Sequence, residues 1–166
     1  MEEKDKKNGQ ESVDLEGNLK LWVLLDQTAF AVARNRDLEL KQYGLTPAQA
    51  AVLYTLENYN GQATQNEISQ FTMRQHHSVS TLINRMVDRG LVEKVQLPNG
   101  SGSLVSITKK GRNIYANTNR SSVEMIFSVL SEEEREQYAI FLKRLLKKAR
   151  NLLGIDYRPP FLPSND

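Results

Sequence analysis

TQNEISQFTMRQHHSVSTLINRMVDRGLVEKVQLPNGSGSLVSITKKG, residues 64 to 111, is the stretch that decides how this chain folds. Thr64 stands three residues before Glu67, the spacing at which a hydroxyl and a carboxylate satisfy each other's free backbone N–H groups at a helix start. A short helix is expected there, with Ile68 and Phe71 giving it a buried side, and a break at 73 to 75 before a second periodic run opens. In that run Val79, Leu82, Ile83 and Met86 follow the i, i+3, i+4, i+7 spacing of one packed face. At about 100° per residue, the opposite face carries His77, Thr81 and Asn84, flanked by Ser78 and Arg85 on one side and Ser80 on the other. These are short polar groups and an imidazole, of a size to meet base edges in a groove about 12 Å wide. Gly90 can take the left-handed conformation that ends the helix.

Beyond Gly90, Leu91 to Gln96 and Ser103 to Ile107 alternate or carry β-branched residues, and Asn99-Gly100 between them is a tight-turn signal. Thr108 then caps a further helix whose first turns hold Lys109, Lys110 and Arg112. Two short helices, a tight break and a two-stranded wing in this order describe a winged helix-turn-helix, a unit commonly used to place a helix in the major groove of duplex DNA. The charge distribution agrees. The chain has 22 basic and 20 acidic residues; residues 62 to 112 hold seven of the basic and three of the acidic, so the rest of the chain is slightly acidic. Positive charge is concentrated where a phosphate backbone would lie.

Working outward, the first eleven residues are almost wholly polar and are expected to form a flexible tail. Residues 12 to 43 read as a long helix with one stripe through Leu15, Leu19, Trp22, Leu25, Ala29 and Ala33 and a second through Leu21, Leu24 and Val32. Gly44 ends it. Thr46, Pro47 and Gln49 open the next helix with a cap, a first-position proline and a third-position glutamine. In the segment 113 to 153, Ser131 and Glu134 form another capping box, ahead of a helical run from Tyr138 to Leu153 that Gly154 stops. Residues 154 to 166 are a proline-rich tail that could lie across a neighbouring subunit. The terminal helices are apolar over too wide a face for one small helix-turn-helix domain, 44 to 112, to cover. Pairing the first and last helices with a second copy solves this. The expected fold class is therefore mainly α with a small β-hairpin wing: a winged helix-turn-helix flanked by N- and C-terminal dimerisation helices. Two-fold pairing would set two reading helices one DNA turn apart, roughly 34 Å, and favour a pseudo-palindromic site.

GLTPAQAAVLYTL at 44 to 56, the helix-turn-helix itself, RGLVEK at 89 to 94 and SLVSITKKG at 103 to 111 together resemble the MarR family of transcription regulators, over residues 12 to 153. The string HHSVSTLINRM at 76 to 86 is similar to a subgroup encoded near genes of anaerobic organohalide respiration. The resemblance implies a homodimeric repressor of double-stranded DNA. It places Thr81 where family members touch bases and Ser80 where they touch phosphate. With these, His77, Ser78, Thr81 and Asn84 are the candidates for base contact. Thr64, Gln65, Arg74, His76, Ser80, Arg85 and Lys94 are the candidates for phosphate or groove edge. Each has a plain alternative: an exposed helix-start residue for His77, and an ion pair with Asp88 for Arg85. The family usually carries an Asp and one or two Arg residues in the wing; here the corresponding stretch is Asn99 to Ser103. Without an arginine to enter the minor groove, the wing is expected to add less affinity, leaving Lys94, Gln96, Asn99 and Ser101 as its polar candidates or as a solvated hairpin tip. The resemblance further implies a small aromatic or lipophilic effector in a cleft that Trp22, Phe30, Arg34 and Tyr54 could line, unless these are ordinary core and surface positions.

Other classes fare worse. The chain has no cysteine and only two histidines, which are adjacent and point about 100° apart on a helix, so disulfides, thiol-based sensing and a histidine metal site are not expected. No phosphate-binding glycine loop or metal spacing supports an enzyme, and no cofactor is implied. The longest apolar patch, LKLWVLL at 19 to 25, is too short to span a bilayer, and no tripartite signal opens the chain, so no membrane association and a cytoplasmic location are expected. The competing reading is a winged-helix dimer that binds DNA without sequence choice or serves protein contact.

Overall fold

The computed structural model describes residues 3–97 and 102–155. Seven helices and a small sheet are described: α1 (Glu3–Lys41), α2 (Pro47–Asn58), β1 (Gln62–Thr64), α3 (Gln65–Thr72), α4 (His76–Asp88), β2 (Val92–Gln96), β3 (Ser103–Ile107), α5 (Lys109–Ala116), α6 (Ser121–Phe127) and α7 (Glu132–Leu152). The mainly helical class with a winged helix-turn-helix is as expected. Three helices start on complete capping boxes, Thr46 with Gln49, Thr64 with Glu67 and Ser131 with Glu134. Gly90, at φ 67°, ends α4 in a Schellman arrangement: its N–H reaches the Val87 carbonyl, and that of Leu91 reaches the Met86 carbonyl.

Several expectations are corrected. α1 begins at Glu3 rather than Ser12, so most of the polar leader counted as a tail is helix; its Glu, Lys and Gln residues are good helix formers, and helical hydrogen bonds need no buried face. The wing is not a lone hairpin, because β1 adds to β3 with Ala63 opposite Val105, giving the antiparallel order β1-β3-β2. A three-residue strand is too short to show alternation, and it exists because Ala63 and Val105 are both buried. The expected division at residue 112 falls inside α5; the helix breaks instead at 117–120. The Asn99-Gly100 turn and most of the C-terminal tail lie outside the described residues.

The core is one cluster. Val52, Leu53 and Leu56 of α2, Ile68 of α3, Val79, Ile83 and Met86 of α4, and Leu91, Val92 and Val105 of the wing close on each other, with Leu40 from the last turn of α1 inserted among them. α1 is thereby anchored in the helix-turn-helix at one end only. Along the rest of α1 the apolar residues are bare: Leu21 is 66% exposed, Trp22 63% and Phe30 73%. α7 buries no residue, and Leu145 and Leu152 are 56% and 75% exposed. No described helix is long and apolar enough to cross a membrane.

Where α1 meets α6, Glu39 accepts hydrogen bonds from the Ser122 N–H and hydroxyl and pairs with Arg36 at 2.6 Å. Burial pushes the Glu39 carboxyl up, but the hydrogen bonds from Ser122 and Arg36 and the Arg36 charge outweigh it and hold the group below its ordinary value of 4.5. A carboxylate depressed on folding contributes stability that is complete above its unfolded value and is lost as pH falls through the folded one. The urea midpoint is therefore expected to drop as pH falls below about 4.5, and Glu39→Gln to flatten that part of the profile. An unchanged slope in the variant would remove Glu39 from the cause.

Candidate nucleic-acid interface

The geometry of the polar face follows from the burial of the opposite one. With Val79, Ile83 and Met86 fully buried and Leu82 half-buried, α4 has one orientation available, and His76, His77, Ser78, Thr81, Asn84 and Arg85 are left exposed, with Ser80 at the margin. The Thr81 hydroxyl donates to the His77 carbonyl at 3.1 Å, which keeps its lone pairs outward. No ion pair joins Arg85 to Asp88 among the described residues, so the alternative for Arg85 is not the one realised. Asn84 is joined to the wing instead: Lys94 Nζ, on β2, donates to its Oδ1 at 3.4 Å.

The turn before α4 is built by Met73 in the left-handed region at φ 51°, and the Ser69 hydroxyl donates to the Arg74 carbonyl at 3.0 Å, which leaves the Arg74 side chain exposed. Two candidates sit differently from expectation. Gln65 is only 5% exposed; its amide reaches the His76 carbonyl and Nδ1, each at 3.4 Å, so it braces α3 against the start of α4 rather than facing solvent. The buried flank of α3 needs a polar group there because the backbone of the next helix passes over it. Thr64 is spent on its cap, donating to Glu67 Oε2 at 2.7 Å and accepting from the Glu67 N–H.

Electrostatically, three of the seven basic residues between 62 and 112 are committed to the fold. Arg89 donates to Gln49 Oε1 at 2.9 Å and to the Gly44 carbonyl at 2.8 Å, Lys110 caps the Arg89 carbonyl at 2.7 Å, and Arg112 pairs with Glu57 at 2.9 Å. Arg74, Arg85 and Lys109 remain exposed, and among the described residues no ion pair involves them. Lys109, at the start of α5, was counted in the sequence only as part of the charge and not as a contact. On the wing, Gln96 is exposed and accepts from the Ser103 hydroxyl at 3.0 Å across the hairpin. Asn99 and Ser101 lie outside the described residues.

The residues expected around an effector are placed as follows. Trp22 and Phe30 are exposed on α1, Arg34 pairs with Asp37 at 2.9 Å, and Tyr54 packs on Phe71 with ring centroids 5.9 Å apart. A recess of about 500 Å³ between α1 and α6, lined by Asn35, Leu38, Gln42, Met125 and Ile126 among others, includes none of the four.

With this arrangement in place, known proteins can be compared with it. A MarR family model matches residues 43–100, from the end of α1 to the wing. That stretch resembles the MarR family. The uncharacterized HTH-type transcriptional regulator YwoH of Bacillus subtilis is 25% identical over 127 residues, 75% of this chain and 92% of that protein. A MarR mutant from E. coli complexed with operator DNA superposes with a TM-score of 0.71 at 21% identity, covering 78% of this chain and 96% of that one. The organohalide-sensing regulator RdhR-CbdbA1625, in a form bound to 2,4-dichlorophenol, gives 0.67 at 23% identity, covering 81% and 79%. At these identities the solved structures speak for the winged-helix fold. The relatives in sequence, YwoH among them, are HTH-type transcriptional regulators.

Proposed function

We propose that this chain is a MarR-family transcriptional regulator, a homodimeric repressor in which the α4 helices of two subunits occupy successive major-groove turns of a pseudo-palindromic operator and so occlude a promoter. The observation that carries the reading is the exposed polar face of α4, fixed by burial of its apolar face, with Arg85 on its flank and Arg74 in the turn before it, both exposed. His77, Ser78 and Thr81 are assigned to base edges, and Arg74, His76, Ser80, Arg85 and Lys109 to phosphates. Asn84 and Lys94 act together at the groove edge. Residues 44 to 116 form the DNA-binding unit, and α1, α6 and α7 the dimerisation part. The bare apolar residues of α1 and α7 support that pairing, since a monomer would leave both stripes in water. The cytoplasm, where its DNA lies, is the assigned location. An aromatic or lipophilic effector would act by favouring one spacing of the two α4 helices over another. A liganded neighbour, RdhR-CbdbA1625 with 2,4-dichlorophenol, supports that class of effector.

Light scattering joined to DNA titration tests the reading. The expected result is a dimeric mass and binding whose logarithm falls linearly with that of salt. Arg74→Ala should weaken binding to all duplexes alike and lower the salt slope by about one. A monomeric mass, or a slope that Arg74→Ala leaves unchanged, would count against the assignment.

A further inference from the structure

Gln65, a candidate contact that the fold withdraws from solvent, touches another candidate contact. Gln65 and Ser69 stand one turn apart on α3, 5% and 7% exposed, and both are spent on the chain that follows the helix. The Ser69 hydroxyl holds the Arg74 carbonyl, while Gln65 Nε2 donates to the His76 carbonyl at 3.4 Å and stands 3.4 Å from His76 Nδ1. A carbonyl oxygen only accepts, so it is the amide nitrogen of Gln65, with its two N–H groups, that faces the start of α4. One N–H serves the carbonyl and the other is left for Nδ1. A neutral imidazole that accepts at Nδ1 carries its proton on Nε2. His76 is exposed, and among the described residues no hydrogen bond engages its Nε2. The ring of His77, also exposed, has no hydrogen-bond partner among the described residues, so nothing there selects its tautomer.

We propose that Gln65 is a positioning residue for DNA binding: it fixes the ring and tautomer of His76 so that the His76 Nε2–H donates to a phosphate oxygen. The inference rests on the DNA-binding reading above and names how one of its phosphate contacts is made. A donor set in advance gives up less rotamer and tautomer freedom on contact, and a neutral one adds orientation without adding charge. The two adjacent histidines then divide the work. His76, its ring held by Gln65, places the start of α4 on the backbone, and His77, its ring unheld, donates to or accepts from a base edge.

The chain has two histidines, so nitrogen NMR of the isotope-labelled full-length protein shows two imidazoles, told apart by His77→Ala. At a pH where both rings are neutral, His76 should show a single tautomer with its proton on Nε2. Gln65→Leu should bring in the Nδ1–H form at His76 and leave His77 as it was. On DNA, Gln65→Leu should weaken binding about fivefold, the worth of one ordered hydrogen bond, and should have no further effect once His76 is replaced by alanine. His76→Gln, whose amide nitrogen falls where Nε2 stood, should keep the parent's affinity, and His76→Asn, whose amide nitrogen falls at Nδ1, should lose as much as His76→Ala. Both changes are at an exposed position, and with the parent's ring spectrum they decide the matter if Gln65→Leu does not fold. A Gln65→Leu loss that persists in full beside His76→Ala would overturn the proposal, since Gln65 would then support the helix alone, and so would a parent ring protonated on Nδ1. Binding that Arg74→Ala weakens and the His76 variants do not would overturn it and leave the DNA reading standing; binding that none of them weakens would remove both.

Discussion

Alanine at both His77 and Thr81 is expected to lower affinity for the preferred site about a hundredfold while changing binding to scrambled DNA little. Each lost base contact is worth about 1–3 kcal/mol of discrimination, and the two residues lie one helical turn apart on the same exposed face. Both side chains face away from the buried Val79, Ile83 and Met86, and alanine is the best helix former, so the variant should fold. The check is anisotropy titration of the two duplexes at one salt concentration. Equal losses on both would mean that these residues position the protein and do not read the sequence.

The second large effect concerns the fold on which that face depends. A Cβ at Gly111 would stand 2.0 Å from the Leu91 carbonyl oxygen and 3.0 Å from its carbonyl carbon, both backbone atoms. The same carbonyl accepts from the Thr108 N–H and hydroxyl, so it cannot move without uncapping α5. Gly111→Ala is expected to cost more than about 3 kcal/mol, a large part of a typical domain's 5–15 kcal/mol. Helix propensity alone predicts the opposite sign, a gain of roughly 0.5–1 kcal/mol. Gly17→Ala is the control, because no atom lies within 4 Å of a Cβ there and the gain should be realised. Urea unfolding of both variants measures the difference, and a Gly111→Ala protein as stable as the parent would refute the packing.

The contrast between these glycines marks what was legible in the sequence. Capping boxes join residues three apart and glycine stops act on one helix end, so Thr46, Thr64, Ser131, Gly44, Gly90 and Gly154 could be read before any contact was known. The buried face of α4 was legible for the same reason, and with it the outward direction of His77, Thr81 and Arg85. What depends on distant partners was not. β1 exists through β3, Gln65 is buried by the start of α4, and Arg89 is held by Gln49, forty residues earlier. Charge counting could not separate Arg89, Lys110 and Arg112, which hold the fold, from Arg74, Arg85 and Lys109, which face outward. The break at 117–120 was hidden because the groups that hold the Asn119 backbone come from Arg36 of α1 and Tyr43 in the turn after it.

The most direct test of the central claim is selection of duplexes from a random library by the full-length protein, followed by titration of the winning sequence and a scrambled copy at physiological salt. Two inverted half-sites about one turn apart, bound roughly a thousandfold more tightly than the scramble, are predicted. No enriched sequence, with equal and salt-labile binding to both, would contradict the account and mark a winged-helix dimer that grips the phosphate backbone without reading the bases.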